Sequence, residues 1–383
     1  MFTKHPQTMQ FADIIGQEAV KSYLLKNARQ DSVSHAQLFL GAEGSGNLAL
    51  ALAYAQYLNC TNKQPADSCG RCNSCQMSLK LAHPDIHFSY PTVTVGSKGK
   101  KSTDYMAEWR QAVLQNPYMN VFEWLQFIKA ENKQGNITAE ECDEIVRKLN
   151  LTSFQGAYKI LIIWMPEYLG KEGNKLLKVI EEPPAGTLFL LVAENADALL
   201  ATILSRTQLL RIPPLNPPDI AVNLHNRFQL PHQAARQIAA QCNGNYNAAL
   251  RLMSNANVNN RQLLTGWLNA CLQNNVPQFA QFTEEIAETG REIQKNFIGY
   301  CLHFFHECLR LSMLPNYEAL LEKDEIQTAN RFLQSLNYNS LEELVQAFEK
   351  ADEHIARNAN PKIVFFNLSI RLADTGQGKI SFT

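Results

Sequence analysis

The chain has 383 residues, 35 basic and 36 acidic side chains for a net charge of −1, and is 45% hydrophobic against 19% charged. That length suits two or three domains, each with its own core, and the balanced charge gives no whole-chain basic field for tight, autonomous DNA binding. No apolar run approaches the ~20 residues of a membrane helix, and Met1–Pro6 lacks the apolar core of a signal peptide, which places the protein in the cytoplasm and away from membranes.

Val20, Leu24, Leu25 and Ala28 fall at helical spacing and predict a helix over Glu18–Gln30. His35–Leu40 is a short apolar strand. The run Gly41-Ala42-Glu43-Gly44-Ser45-Gly46-Asn47-Leu48 then reads as a glycine turn opening a helix over Asn47–Leu58. This is the layout of a phosphate-binding loop, in which backbone N–H groups and a helix N-terminus cradle an anion. A working loop ends Gly-Lys-Ser or Gly-Lys-Thr. Here the phosphate lysine is Asn47 and the Mg²⁺-binding hydroxyl is Leu48, so Gly41, Gly44, Gly46 and Asn47 form a degenerate loop that binds nucleotide weakly or not at all.

Of nine cysteines, Cys60, Cys69, Cys72 and Cys75 lie within sixteen residues. Two-residue spacers let backbone turns present neighbouring thiolates to one ion, so the four predict one structural Zn²⁺ with no open coordination position for catalysis. His83 and His87 read as ordinary turn and strand histidines. Ile86–Tyr90 is a strand. The segment 91–135 is poorly patterned, with a basic loop at Gly96–Lys101 and aromatic residues over Tyr118–Phe127 that read as a satellite core. Thr138 with Glu141 three residues on predicts a capping box and a helix to about Leu149.

Tyr158–Trp164 and Thr187–Val192 are continuous apolar runs, as expected of strands buried on both faces. Asn174–Glu182 reads as a helix stopped by Pro183-Pro184, Leu199–Leu204 as a short helix, and Gln208–Ile212 as a last strand. Strands alternating with helices up to residue 212 predict a parallel sheet covered on both faces. Four prolines in residues 213–218 mark a boundary, beyond which the pattern is helical to about Asp374, interrupted by a polar linker at 255–260.

The run Asn174–Pro184, together with Thr202-Ile203-Leu204-Ser205-Arg206 and the cysteine module after the loop helix, resembles the clamp-loader branch of the AAA+ superfamily from bacterial DNA polymerase III. The resemblance covers the first ~255 residues; the remainder matches as a helical domain of the right size. It implies an α/β AAA+ core over 1–212 with an embedded zinc module at 60–75 and an insertion at 91–135, a small helical lid over 213–257, and an all-α collar over 258–383 that oligomerises. It also locates further losses. The carboxylate pair after Trp164 is replaced by Met165-Pro166-Glu167, the sensor position after the next strand falls around Ala193–Asn195, and a second sensor arginine aligns near Asn247.

These losses imply a subunit that does not hydrolyse ATP. Ser205-Arg206-Thr207 is similar to the Ser-Arg-Cys motif whose arginine reaches the ATP of a neighbouring subunit, which implies that Arg206, beside Ser205, acts in trans. Implied partners are the gamma/tau and delta subunits and, through the assembly, the sliding clamp and primer–template DNA. Glu181 and Glu182 sit at a helix C-terminus, the unfavourable end for negative charge, which suggests an external partner or a constraint of the fold. The alternative is an active, divergent AAA+ ATPase in replication or repair. Dinucleotide binding is disfavoured because Gly44-x-Gly46-x-x-Ala49 is a weak pattern without the second strand it needs. A zinc-dependent nucleic-acid binder is disfavoured because Lys63 and Arg71 alone supply cations between Cys60 and Cys75.

Overall fold

A computed structural model describes residues 10–93, 101–130, 133–150, 156–253, 257–314, 317, 319–321, 323–334, 338–356 and 359–376. The expected basic loop lies outside the described residues except for Lys101, as do Met1–Pro6 and residues 255 and 256 of the expected linker, whose remaining residues 257–260 are not a linker but the first turn of a helix. The chain divides into two compact units, one of residues 1–223 with 244–247 and one of residues 224–243 with 248–383.

The first unit is built on five parallel strands: β1 (Ala36–Gly41), β2 (Ile86–Ser89), β3 (Lys159–Trp164), β4 (Thr187–Ala193) and β5 (Gln208–Ile212). Their order is β2-β3-β4-β1-β5, with Leu38 opposite Leu191 of β4 and Leu209 of β5. β3 and β4 are buried along their whole length, which is why their sequences read as continuous apolar runs. β5 is an edge strand and mostly exposed.

Helices in this unit are α1 (Glu18–Arg29), α2 (Asn47–Asn59), α3 (Asn73–Leu79), α4 (Met106–Gln115), α5 (Val121–Phe127), α6 (Ala139–Leu149), α7 (Leu177–Glu181) and α8 (Ala201–Leu204). Strand alternation divides the core into two layers. Leu38, Leu161, Ile163, Phe189 and Leu191 face α6, α7 and α8. On the other face, Phe39 meets Tyr54 of α2, every residue of which is buried. A helix enclosed on all sides needs small and apolar residues throughout, and the Ala-Leu repeat of α2 meets that need.

Three expectations are corrected. The aromatic stretch is no satellite: its Trp124 donates its indole N–H to the Pro91 carbonyl at 2.7 Å and meets Trp109 of α4 edge-on at 5.3 Å, and Trp109 stacks on Tyr90 at 4.0 Å and reaches Trp164 at the end of β3 at 5.2 Å. Helices of ten and seven residues carry too few turns for a periodic signal, so the segment looked unpatterned. Thr138 caps α6 through the Glu141 N–H, but the Glu141 carboxylate accepts from the Ser102 N–H instead of returning to the cap. The complete capping box belongs to Asn120 and Glu123 on α5. The helix expected over Asn174–Glu182 is a 3₁₀ stretch over Pro166–Leu176 followed by the short α7.

Into the second unit run α9 (Pro217–Phe228), which starts in the first, then α10 (His232–Gln241), α11 (Tyr246–Arg251), α12 (Asn257–Leu272), α13 (Val276–Glu288), α14 (Arg291–Met313), α15 (Lys323–Gln334), α16 (Tyr338–Ala356) and α17 (Pro361–Gly376). The paired prolines at 217 and 218 open α9, where a missing N–H costs nothing. The core of this unit gathers around Trp267, which stacks on Phe282 at 4.8 Å and donates to Ser369 Oγ at 2.9 Å. None of the described helices is long and apolar enough to cross a membrane.

Because Trp124 is fully enclosed and its N–H satisfies a buried carbonyl, Trp124→Ala should lower the stability of the first unit by ~3–5 kcal/mol. Urea denaturation followed by circular dichroism measures it, and a loss under ~1 kcal/mol would show that the aromatic cluster does not support the sheet.

Candidate functional site: a closed phosphate-type loop, an opposed arginine and a cysteine cluster

Strand order reverses at β1, which lies between β4 and β5 while its successor in sequence, β2, is at the far edge. Ligands of open parallel sheets bind at the carboxyl ends of strands at such a reversal. The loop Gly41–Leu48 occupies that place. Gly44 and Gly46 have φ of +72° and +89°, conformations that favour glycine.

Several polar groups of this loop are engaged by the chain itself, while the buried Ser45 Oγ has no hydrogen-bond partner among the described residues. Asn47 donates from Nδ2 to the carbonyls of Gly41 at 3.1 Å and Ala193 at 3.2 Å, and its Oδ1 accepts the Leu48 N–H at 2.9 Å. The Ser45 N–H donates to the Ala42 carbonyl at 3.1 Å. Gln17 donates to the Ser45 carbonyl at 3.0 Å, and the Tyr246 N–H to the Gly44 carbonyl at 3.1 Å. Gly44, Ser45, Gly46, Asn47 and Leu48 are all buried.

The positions of the other expected ATP-handling groups are likewise occupied with structural work. Glu167, after β3, accepts at Oε1 from the N–H groups of Glu194 (2.6 Å) and Asn195 (2.9 Å) beyond β4. Burial pushes its carboxyl above the usual range, against the pull of those N–H groups. Asn195 caps the next short turn through the Asp197 N–H at 3.0 Å. Asn247 accepts from Asn116 Nδ2 at 2.6 Å and donates to Glu123 at 2.8 Å and Glu43 at 3.4 Å.

Arg206 is not brought to this loop. It precedes β5, whereas the loop follows β1; these parallel strands pair Gln37 with Gln208 and Gly41 with Ile212. A strand of this length separates the two by about 15 Å along the sheet. Arg206 is partly exposed and ion-paired with Glu181, and its Nη1 donates to the Thr202 carbonyl at 2.8 Å and Ser205 Oγ at 3.3 Å. Ser205 Oγ itself donates to the Thr202 carbonyl at 3.2 Å. Thr207 donates back to the Ile203 carbonyl at 3.1 Å, finishing the turn of α8. Glu181 at the C-terminus of α7 thus has a partner within the fold that offsets its unfavourable end of the helix dipole.

The four clustered cysteines come together with all sulfurs within 4.8 Å of one another, and Cys69 Sγ lies 3.9 Å from Cys75 Sγ. Four thiolates each ~2.3 Å from one ion would stand roughly 3.8 Å apart, so the set fits a tetrahedral metal. Backbone N–H groups already point at the sulfurs: Cys69 N–H to Cys60 at 3.3 Å, Cys72 N–H to Cys69 at 3.3 Å and Cys75 N–H to Cys72 at 3.5 Å. Although burial opposes ionisation, hydrogen bonds from Thr61 and the Cys75 N–H bring the Cys72 thiol down to about 6. Burial raises the Cys75 and Cys60 thiols. These four residues could hold a metal ion. His83 is outside the group, accepting the Asp85 N–H at 3.1 Å, and burial pushes His87 down to about 4.

Sequence reasoning missed two features here. Asp67, inside the cysteine module, accepts from the N–H groups of Phe11 (3.2 Å) and Ala12 (2.9 Å), tying the module to the segment before α1. Tyr118 lies against the loop, its ring 3.0 Å from where a Cβ on Gly46 would stand. The capping box at Asn120–Glu123 was the one local signal that could have ordered its surroundings.

Comparison with known proteins agrees with these features. The family model described as "DNA polymerase III, delta subunit" matches residues 16–216, more than half of the chain. DNA polymerase III subunit tau of Bacillus subtilis is 22% identical over 389 residues, covering 95% of this chain and 62% of that protein. Subunit delta' of Bacillus subtilis is 28% identical over 239 residues (62% of this chain, 60% of that protein), and subunit delta' of Escherichia coli K12 is 29% identical over 234 (60% and 58%). The chain thus spans about 60% of the length of these relatives. With a parallel sheet, a phosphate-type loop at its strand-order reversal and these relatives, the chain belongs to the DNA polymerase III delta-subunit family of clamp-loader proteins.

Proposed function

We propose that this chain is the non-hydrolysing, delta'-type subunit of a bacterial clamp loader, assisting ATP-dependent loading of the sliding clamp onto primed DNA. The observation that carries this reading is the opposition of Arg206 and the loop. The arginine stands at the far end of β5 from its own loop, so any phosphate it meets belongs to another subunit. Meanwhile the loop's Asn47 bonds to two strand-end carbonyls, and the loop carries Asn47 and Leu48 where a working loop carries Lys and Ser or Thr.

In this reading Arg206 is the catalytic residue in trans, placed by Ser205 and paired with Glu181 until an anion replaces the carboxylate. A guanidinium is always charged and forms planar, bidentate contacts, which suits a transferring phosphoryl group. Partners are the gamma/tau and delta subunits, with the clamp and primer–template DNA reached through the assembly in the cytoplasm. Residues 213–257 serve as a lid and 258–383 as the collar that joins subunits. The cysteine module holds one structural zinc ion on Cys60, Cys69, Cys72 and Cys75; a closed set of four thiolates supplies folding energy and no catalysis.

Reconstitution with the gamma/tau and delta subunits tests the reading. Arg206→Ala should assemble normally and reduce hydrolysis at the one site it faces by roughly 10³–10⁵; unchanged hydrolysis would remove the finger role. The isolated chain should show no turnover of labelled ATP, and turnover would favour the active-ATPase alternative. Elemental analysis should find one zinc per chain. Cys72→Ser should lower that content, and a chelator should unfold residues 60–75, since structural zinc contributes ~10–16 kcal/mol in small modules. A fully folded, metal-free chain would contradict the zinc assignment.

A further inference from the structure

Residues 101–130 supply side chains that a phosphate loop does not require. The Tyr118 ring presses on Gly46, and its hydroxyl accepts the Ile15 N–H at 3.2 Å. The same ring meets Tyr246 edge-on, with centroids 4.9 Å apart, and both tyrosines are buried. Beside it, the Tyr118 N–H donates to Asn116 Oδ1 at 3.0 Å, and Asn116 passes the network to Asn247 and on to Glu123. One aromatic ring and one amide–carboxylate chain therefore join three stretches distant in sequence: the loop, the segment before α1, and residues 244–247.

We propose that Tyr118 is a built-in occupant of the loop that fixes residues 244–247 onto it, so that their attachment is independent of nucleotide. The physical reason is substitution. In a working phosphate loop the anion satisfies convergent N–H groups and gives neighbouring segments something to grip. In this chain the Ser45 and Leu48 N–H groups are satisfied internally, and the grip comes from the ring between Gly46 and Tyr246. Gly46 is favoured by its positive φ, and a Cβ there would stand a tight 3.0 Å from the ring. The inference rests on the reading of the loop as one that turns over no ATP. It can fail separately, because ATP turnover reads whether the loop is catalytic, whereas hydrogen exchange reads what holds residues 244–247 to it.

Hydrogen exchange of the full zinc-loaded chain, read by mass spectrometry with and without MgATP, tests it. Wild-type protection over residues 44–48 and 244–247 should be the same in both conditions. Tyr118→Ala should speed exchange in both stretches by about tenfold or more, the factor that ~1.4 kcal/mol of lost contact produces, with residues 60–75 unchanged. Tyr118→Phe should keep both stretches protected and expose Ile15 alone. If Tyr118→Ala does not fold, Asn116→Ala should still raise exchange at 244–247. Unchanged protection at either stretch in Tyr118→Ala, at 244–247 in Asn116→Ala where that variant is the one read, or a MgATP-dependent gain in the wild type, would overturn the proposal.

Discussion

The side-chain amide of Asn47 bridges the ends of two adjacent strands, donating to Gly41 at the end of β1 and to Ala193 at the end of β4. A lysine at this position would project a charge toward phosphate. An amide is short and neutral, with two donors and an acceptor, and all three find partners within the protein. The bridge ties the two strands together where the strand order reverses. It also aligns the start of α2, whose burial on every side leaves little freedom for the loop to move alone. Elsewhere in this unit Glu167 accepts from two backbone N–H groups and Asn247 joins a side-chain network, so these polar side chains also serve as cross-links.

Closure of the loop makes the exposure of Arg206 more telling. Unpaired buried polar groups are costly. An arginine needed only for stability could have been enclosed with its partner. Arg206 instead keeps a partly open position, with Glu181 as an exposed and therefore weak ionic partner. Such a pair orients the guanidinium without enclosing it. The two prolines after Glu182 end the chain segment that presents Glu181, so the acidic run and the Ser-Arg-Thr turn form one small device on the sheet's other end.

Much of the α/β unit was legible in the sequence because its signals are local and strong. Apolar runs at Tyr158–Trp164 and Thr187–Val192, the Ala-Leu repeat of α2 and the cysteine spacing each state their own environment within a few residues. The segment after Pro91 was not legible for the opposite reason. Its helices are short, and Trp109, Trp124 and Tyr118 take their meaning from Trp164, Pro91 and Gly46, which are distant in the chain. Glu141 shows the same limit at a single residue: a capping box is a local rule, and a tertiary donor, the Ser102 N–H, overrode half of it.

The sequence by itself determined the parallel sheet, the presence of Asn47 and Leu48 in place of lysine and a hydroxyl in the phosphate-type loop, and the clustering of four thiols, since each depends on residue type at short spacing. Only the tertiary structure decided that Tyr118 lies against the loop and that Asn47 cross-links it, that Glu181 holds Arg206, and that Arg206 and the loop lie at opposite ends of the sheet. Those facts depend on strand order and register, which set distances between residues far apart in sequence and which no local pattern encodes.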